Sequence, residues 1–203
     1  METAVQTASK GRPREFCVDD ALAKALRVFW SKGYEGASLS DLTDAMGITR
    51  PSLYAAFGNK EALFKKTLDL YEHEKLAYIG KALEASTARG VAERLLRGGL
   101  EMQMNSCDPR GCMGVINSMA CGAEAEGIRA AVLERGAIAK RAIVERFERA
   151  IAEGDLPAGA DPVGLTSYLM AILQGLAVQA GAGTSCEDLQ GLIATSLAMW
   201  PGK

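Results

Sequence analysis

Between Ser38 and Phe57 the chain fits two short amphipathic runs into twenty residues, with one glycine, Gly47, between them. Ser38 stands three residues before Asp41, the spacing of a capping box, so a helix opens at Leu39 and carries Leu42, Ala45 and Met46 on one side. Gly47 stops it. Thr49 is an N-cap and Pro51 a first-turn residue, so a second short helix begins there and turns Leu53 and Phe57 inward. A three- to four-residue turn holding two short helices is the grammar of a helix-turn-helix, whose second helix lies in a major groove with its N-terminal residues toward base edges.

The surrounding sequence extends the helical pattern. Ala21, Leu22, Ala25, Leu26, Phe29 and Trp30 recur at intervals of three and four over residues 18–32, and Gly33 ends that helix. Asn59 caps a long helix expected to run to about Leu83, and further helices are expected over 91–105, 113–121, 124–153, 161–180 and 185–199. No window of four to eight residues combines alternation with β-branched enrichment, so no strand is predicted. The fold class is all-α, with a basic arm over 1–15, a helix-turn-helix domain over 16–66 and a further helical domain over 67–203.

Charge agrees with that division. The whole chain of 203 residues carries a net charge of -2, yet residues 1–66 hold ten Lys and Arg against eight Asp and Glu, while the remainder holds thirteen against seventeen. A polyanion meets the first third more favourably, although the excess is small. Thr49, Arg50, Ser52 and Tyr54 sit at the docking end of the second helix, where Arg50 can grip guanine O6 and N7 with two hydrogen bonds. Lys60 adds a cation for phosphate at the start of the next helix.

These residues resemble the tetracycline-repressor (TetR) family of bacterial transcriptional regulators. The likeness rests on residues 25–34, on Ala37-Ser38-Leu39, Leu42 and Met46-Gly47-Ile48, and on residues 52–64, which read Ser-Leu-Tyr-Ala-Ala-Phe-Gly-Asn-Lys-Glu-Ala-Leu-Phe. It implies that Arg50 and Ser52 look toward bases while Ser38, Tyr54 and Lys60 hold phosphates. Ala55 and Ala56 stand where many members carry larger DNA-touching residues, which shifts the burden to Arg50, Ser52 and Ser40. Arg12 and Arg14, in Lys10-Gly11-Arg12-Pro13-Arg14, suit an arm that enters an A·T-rich minor groove. The resemblance further implies that residues 67–203 bind an effector and dimerise, that the homodimer sits on a pseudo-palindromic double-stranded operator as a repressor, with an activator of the same fold as the alternative, and that a small-molecule or electrophile effector releases it.

In the C-terminal part, Met102, Met104, Cys107, Cys112, Met113, Met119 and Cys121 form a cluster of soft atoms along the chain. Three readings compete: a pliable pocket for an apolar effector, a reactive Cys112 whose neighbour Arg110 favours a thiolate, and a Cu(I) site. The segment Pro109-Arg110-Gly111-Cys112 resembles a branch of the family that senses electrophiles and oxidants. Leu169, Leu173, Leu176, Leu192, Ile193 and Leu197 are the candidate dimer interface.

Other function classes fare worse. There is no Gly-rich phosphate loop, no nucleophile motif with a histidine partner and no Cys-x-x-Cys, and His73 is the sole histidine. An enzyme is not expected, nor a cofactor, nor a metal. A helical enzyme is the main alternative to a regulator, and a helical protein-binding adaptor, which would have no use for Arg50 or Lys60, is the next. Five cysteines without framework spacing, no secretory h-region and no uninterrupted apolar stretch of about 20 residues point to a cytoplasmic protein that does not enter a membrane.

Overall fold

The computed structural model describes residues 16–105, 107–119, 122 and 125–202, apart from the Met119 side chain. They form ten α-helices, and no strand occurs among the described residues. In order these are α1 (Val18–Gly36), α2 (Leu39–Met46), α3 (Arg50–Phe57), α4 (Lys60–Lys75), α5 (Ala77–Leu83), α6 (Ala88–Met104), α7 (Met113–Met119), α8 (Glu126–Ala152), α9 (Pro162–Gly181) and α10 (Cys186–Ala198). The all-α class read from periodicity is the observed one.

Two apolar cores organise the helices. The first gathers Phe29 and Trp30 of α1, Leu42 of α2, Leu53 and Phe57 of α3 and Phe64 of α4, and it is closed from outside by Met113, Ile128 and Val132 of α7 and α8. Aromatic rings meet edge to face at its centre, Phe29 against Phe64 at 5.1 Å and Trp30 against Tyr71 at 4.9 Å, the arrangement their quadrupoles favour. The second core surrounds α6, with Leu95 and Leu96 packed among Phe147 of α8, Leu169 and Leu176 of α9, and Leu197 and Trp200 at the end of α10.

Two expectations about helix ends change. Gly33 does not finish α1: it interrupts it at φ 71°, ψ 172°, and one further turn follows to Gly36. The helix expected to run from Asn59 to Leu83 is two helices. At Leu76 the N–H reaches back to Tyr71 O at 3.2 Å, one residue wider than an α-turn, while Ile79 N–H takes Leu76 O at 3.0 Å, so the axis turns there without any glycine or proline.

Candidate nucleic-acid interface

The α2–α3 pair is shaped almost entirely by neighbours in sequence. Ser38 Oγ accepts from Asp41 N–H at 3.0 Å, and Asp41 Oδ2 accepts from Ser38 N–H at 3.0 Å, closing the capping box. Lys32 Nζ bonds the other Asp41 oxygen at 2.7 Å, and these bonds hold the Asp41 carboxyl down to about 2. Gly47 takes the left-handed conformation (φ 69°, ψ 34°) that only glycine enters at no cost, letting Ile48 N–H return to Thr43 O. Thr49 caps α3, its hydroxyl accepting from Ser52 N–H and lying 3.0 Å from Ser52 Oγ.

Leu53 and Phe57 pin α3 to the core, which leaves Arg50, Pro51, Tyr54 and Ala55 exposed and Ser52 half-buried. Tyr54 is 46% exposed, so its ring is not packed under α4. Arg50 Nη2 donates to Ser40 Oγ at 2.9 Å, which joins the two helices across their outer face and leaves the guanidinium without a carboxylate partner among the described residues. Lys60 lies over the Tyr34 ring, 4.5 Å from its centroid. Partial burial lowers the Lys60 pKa, against the opposing pull of Glu35. Ser38, Ser40, Thr49, Arg50, Ser52 and Tyr54 therefore belong to the α2–α3 unit, with Lys60 at the start of α4 next to it. Arg12 and Arg14 lie outside the described residues.

The soft atoms do not share one pocket. Met113 is fully buried in the first core, wedged behind the rings of α1 and α4, and cannot line an accessible cavity. Met104 packs on the second core and Cys107 is exposed. Among the described residues Met102 and Cys112 converge: Tyr71 Oη lies 3.9 Å from Met102 Sδ and 3.7 Å from Cys112 Sγ. Burial, reinforced by the Cys112 thiol, pushes the Tyr71 phenol well above its ordinary pKa, so it stays a donor. Cys112 is half-buried, and Arg110 beside it is exposed. Cys121 and the Met119 side chain fall outside the description. Among the described residues no group of three or more His, Cys, Asp or Glu is placed to hold a metal.

Residues 21–67 match the model of the family described as bacterial regulatory proteins, tetR family. Over 201 residues the chain is 34% identical to the HTH-type transcriptional repressor ComR of Escherichia coli (strain K12), covering 95% of this chain and 93% of that protein. The chain belongs to the TetR family of bacterial regulatory proteins. Among solved TetR structures, a cysteine-substituted form of the regulator CifR, complexed with 26 bp double-strand operator DNA, superposes with a TM-score of 0.89 at 40% identity, covering 94% of this chain and 100% of that one. A TetR regulator from Agrobacterium tumefaciens shares the fold at 19% identity, with a TM-score of 0.77.

In this TetR chain the leucines expected at a dimer interface are needed elsewhere. Leu169, Leu176, Ile193 and Leu197 are buried in the chain's own second core, and Leu173 and Leu192 pack against it, because α6 lies under the leucine-bearing faces of α9 and α10. The outward faces carry other residues: Gly164, Tyr168, Ala171 and Val178 on α9, and Gly191, Ala194, Ala198 and Met199 on α10. By length and composition α9 is apolar enough to cross a membrane, with a mean hydropathy of 1.4 and only 28% of that window buried. Sequence reasoning also missed the polar partners of residues 108–119 and Gly122. Trp30 Nε1 donates to Gly111 O at 3.0 Å and Asp108 pairs with Lys75 at 2.7 Å, contacts that no local pattern announces.

Proposed function

We propose that this chain is a transcriptional repressor, not a catalyst, that binds a pseudo-palindromic double-stranded operator as a homodimer in the cytoplasm. The observation that carries the reading is the outer face of α3: Arg50 uncommitted to any described carboxylate, braced by Ser40, with Ser52 and Tyr54 beside it and Lys60 at its flank. In this reading Arg50 and Ser52 address base edges and Ser40, Tyr54 and Lys60 the backbone. Ser38 and Thr49 set the helix starts with their side-chain oxygens and still present hydroxyl protons to phosphate. Residues 1–15, with Arg12 and Arg14, supply a minor-groove arm, 16–66 the reading head and 67–203 the effector and dimerisation body. The names of ComR and of the CifR operator complex support repression and duplex binding.

The apolar, small-residue faces of α9 and α10 serve the second copy, since small side chains let helices approach closely while the leucines hold the body together. Two copies place two α3 helices about one helical turn of DNA, or slightly more, apart. The body answers a small apolar molecule or a carbon electrophile, the latter through Cys112.

Selection of bound duplexes from a random library tests this reading. Arg50→Ala is expected to cost about 1–3 kcal/mol on the selected duplex and to relax the choice at one base pair, whereas Lys60→Ala weakens all duplexes alike. An Arg50→Ala protein that binds unchanged, or a wild-type chain that selects nothing, returns the adaptor reading.

A further inference from the structure

We propose that residues 108–119, together with Gly122, form a strap that fixes the orientation of α1, and so of the α2–α3 pair, against the body, and that loosening this strap is how the body lowers DNA affinity. The inference rests on the repressor reading and names its regulatory element.

Four polar links join α1 to the strap, at residues 27, 30, 34 and 35. Arg27 Nε faces Asp108 Oδ1 at 3.7 Å, Trp30 Nε1–H donates to Gly111 O at 3.0 Å, Tyr34 N–H donates to Asn117 Oδ1 at 2.7 Å, and Gly122 N–H donates to Glu35 Oε1 at 2.9 Å. From its other side the strap is held by α4 and α6. Lys75 Nζ takes Asp108 Oδ2 at 2.7 Å, and the buried Gln103 amide both donates to Gly111 O and accepts from Gly111 N–H. No other segment ties α1 to both α4 and α6 through side-chain hydrogen bonds among the described residues.

The helix break is part of the same device. At φ 71° Gly33 swings the Tyr34 amide out of the α1 ladder, and a partly buried N–H so freed needs an acceptor. Asn117 supplies it and is itself held by donating to Met113 O at 2.8 Å. A Cβ at position 33 would only come into contact with Ile116 Cγ2 at 3.4 Å, so it is the backbone conformation that requires glycine there. Gly33 and Asn117 are a matched pair, each accounting for the other.

Trp30 is the point where a disturbance enters the head. It has no exposed surface, and it touches the strap twice: directly at Gly111 O, and through Tyr71, whose ring meets it edge-on at 4.9 Å and whose hydroxyl lies 3.7 Å from Cys112 Sγ. Cys112 directly follows Gly111. A substituent on Sγ displaces the Tyr71 hydroxyl and drags the Gly111 carbonyl, so both contacts of Trp30 change together.

The two tryptophans make this measurable in the full chain. Trp200 lies in the second core against Phe147 and serves as the internal reference, and Trp200→Phe assigns the two indole N–H resonances in a 15N spectrum. Two perturbations are applied. One is Asn117→Ala. The other is iodoacetamide on a chain whose other four cysteines are serine: the Cys112 Sγ–CH2 bond forms, the C–I bond breaks, iodide leaves and the thiol proton passes to buffer. Each is expected to shift the Trp30 indole signal, to speed its hydrogen exchange about tenfold and to weaken the selected duplex about tenfold, within the usual range of coupling between sites. The Trp200 signal stays in place.

An unmoved Trp30 in Asn117→Ala, or loss of both indole signals together as in global unfolding, overturns the strap. A Cys112 that refuses iodoacetamide, or that is alkylated with Trp30 unchanged, removes it as the strap's trigger. A Trp30 response without a change in duplex affinity overturns the regulatory role. Failure of DNA reading itself shows earlier, when the wild-type chain selects no duplex.

Discussion

The α2–α3 pair and the strap both adjoin the same aromatic core, and they satisfy their polar hydrogen bonds in opposite ways. On the reading pair the capping bonds span three residues: Ser38 with Asp41, Thr49 with Ser52, and, at the start of α4, Asn59 with Ala62. In the strap, the bonds to α1 span 81, 83 and 87 residues. A surface closed by local bonds keeps its shape whatever the body does, whereas a segment closed by distant ones changes with the relative position of the parts it joins. On the strap proposal the docking face is rigid in itself and adjustable in placement, which is the division of labour a switchable DNA reader needs.

The largest effect should come from Met113, the strap residue that is also core. Met113→Ala removes a fully buried side chain from behind the α1 and α4 rings and is expected to destabilise by about 2–5 kcal/mol in urea unfolding. Were Met113 a pocket wall instead, the cost would be small and the change would appear in ligand response. A loss below about 1 kcal/mol would therefore break the distinction between core and strap surface drawn from its burial.

Thr49→Ala comes next and probes the other region. Losing an N-cap costs about 1 kcal/mol, with reported caps spanning about 0.5–2. Because the cap is local, the expected loss of stability leaves the Trp30 indole resonance where it was. A Trp30 shift in Thr49→Ala as large as in Asn117→Ala would mean that the reading pair and the strap are not separable.

That contrast also explains what could be read from the chain alone. The caps at Ser38, Thr49 and Asn59 were legible because cap and partner lie within one turn of sequence. The break at Leu76 was not, since no residue there disfavours a helix and the bend follows from how α5 meets α6. On α9 and α10 the periodicity showed faces of apolar residues beside small ones, and only the position of α6 decides that Leu169, Leu176, Ile193 and Leu197 turn inward while Val178 and Met199 stay exposed. The run of Met and Cys residues suggested one cluster, but burial sends Met113 and Met104 to different cores. Asp108 and Asn117 carried no signal at all, their partners being distant in sequence.

The smallest expected effect sharpens the local side of the comparison through pH. Asp41 is held at about 2 against an ordinary 3.8, first by the Lys32 ammonium and then by the Ser38 backbone and hydroxyl. A carboxyl whose folded pKa is depressed adds stability that is fully present above its unfolded value and fades as pH falls through the folded one. Asp41→Asn keeps an acceptor oxygen for Ser38 N–H but loses the charge. The melting temperature of the wild type should therefore exceed that of Asp41→Asn by a constant small margin from about pH 5 to 8, and the two should converge as pH falls from about 4 toward 2. The margin should also shrink with added salt, since the Lys32 pair is exposed to solvent. A margin that survives unchanged at pH 2, or that is insensitive to salt, would place the stabilisation in the shape of the capping box instead of its charge.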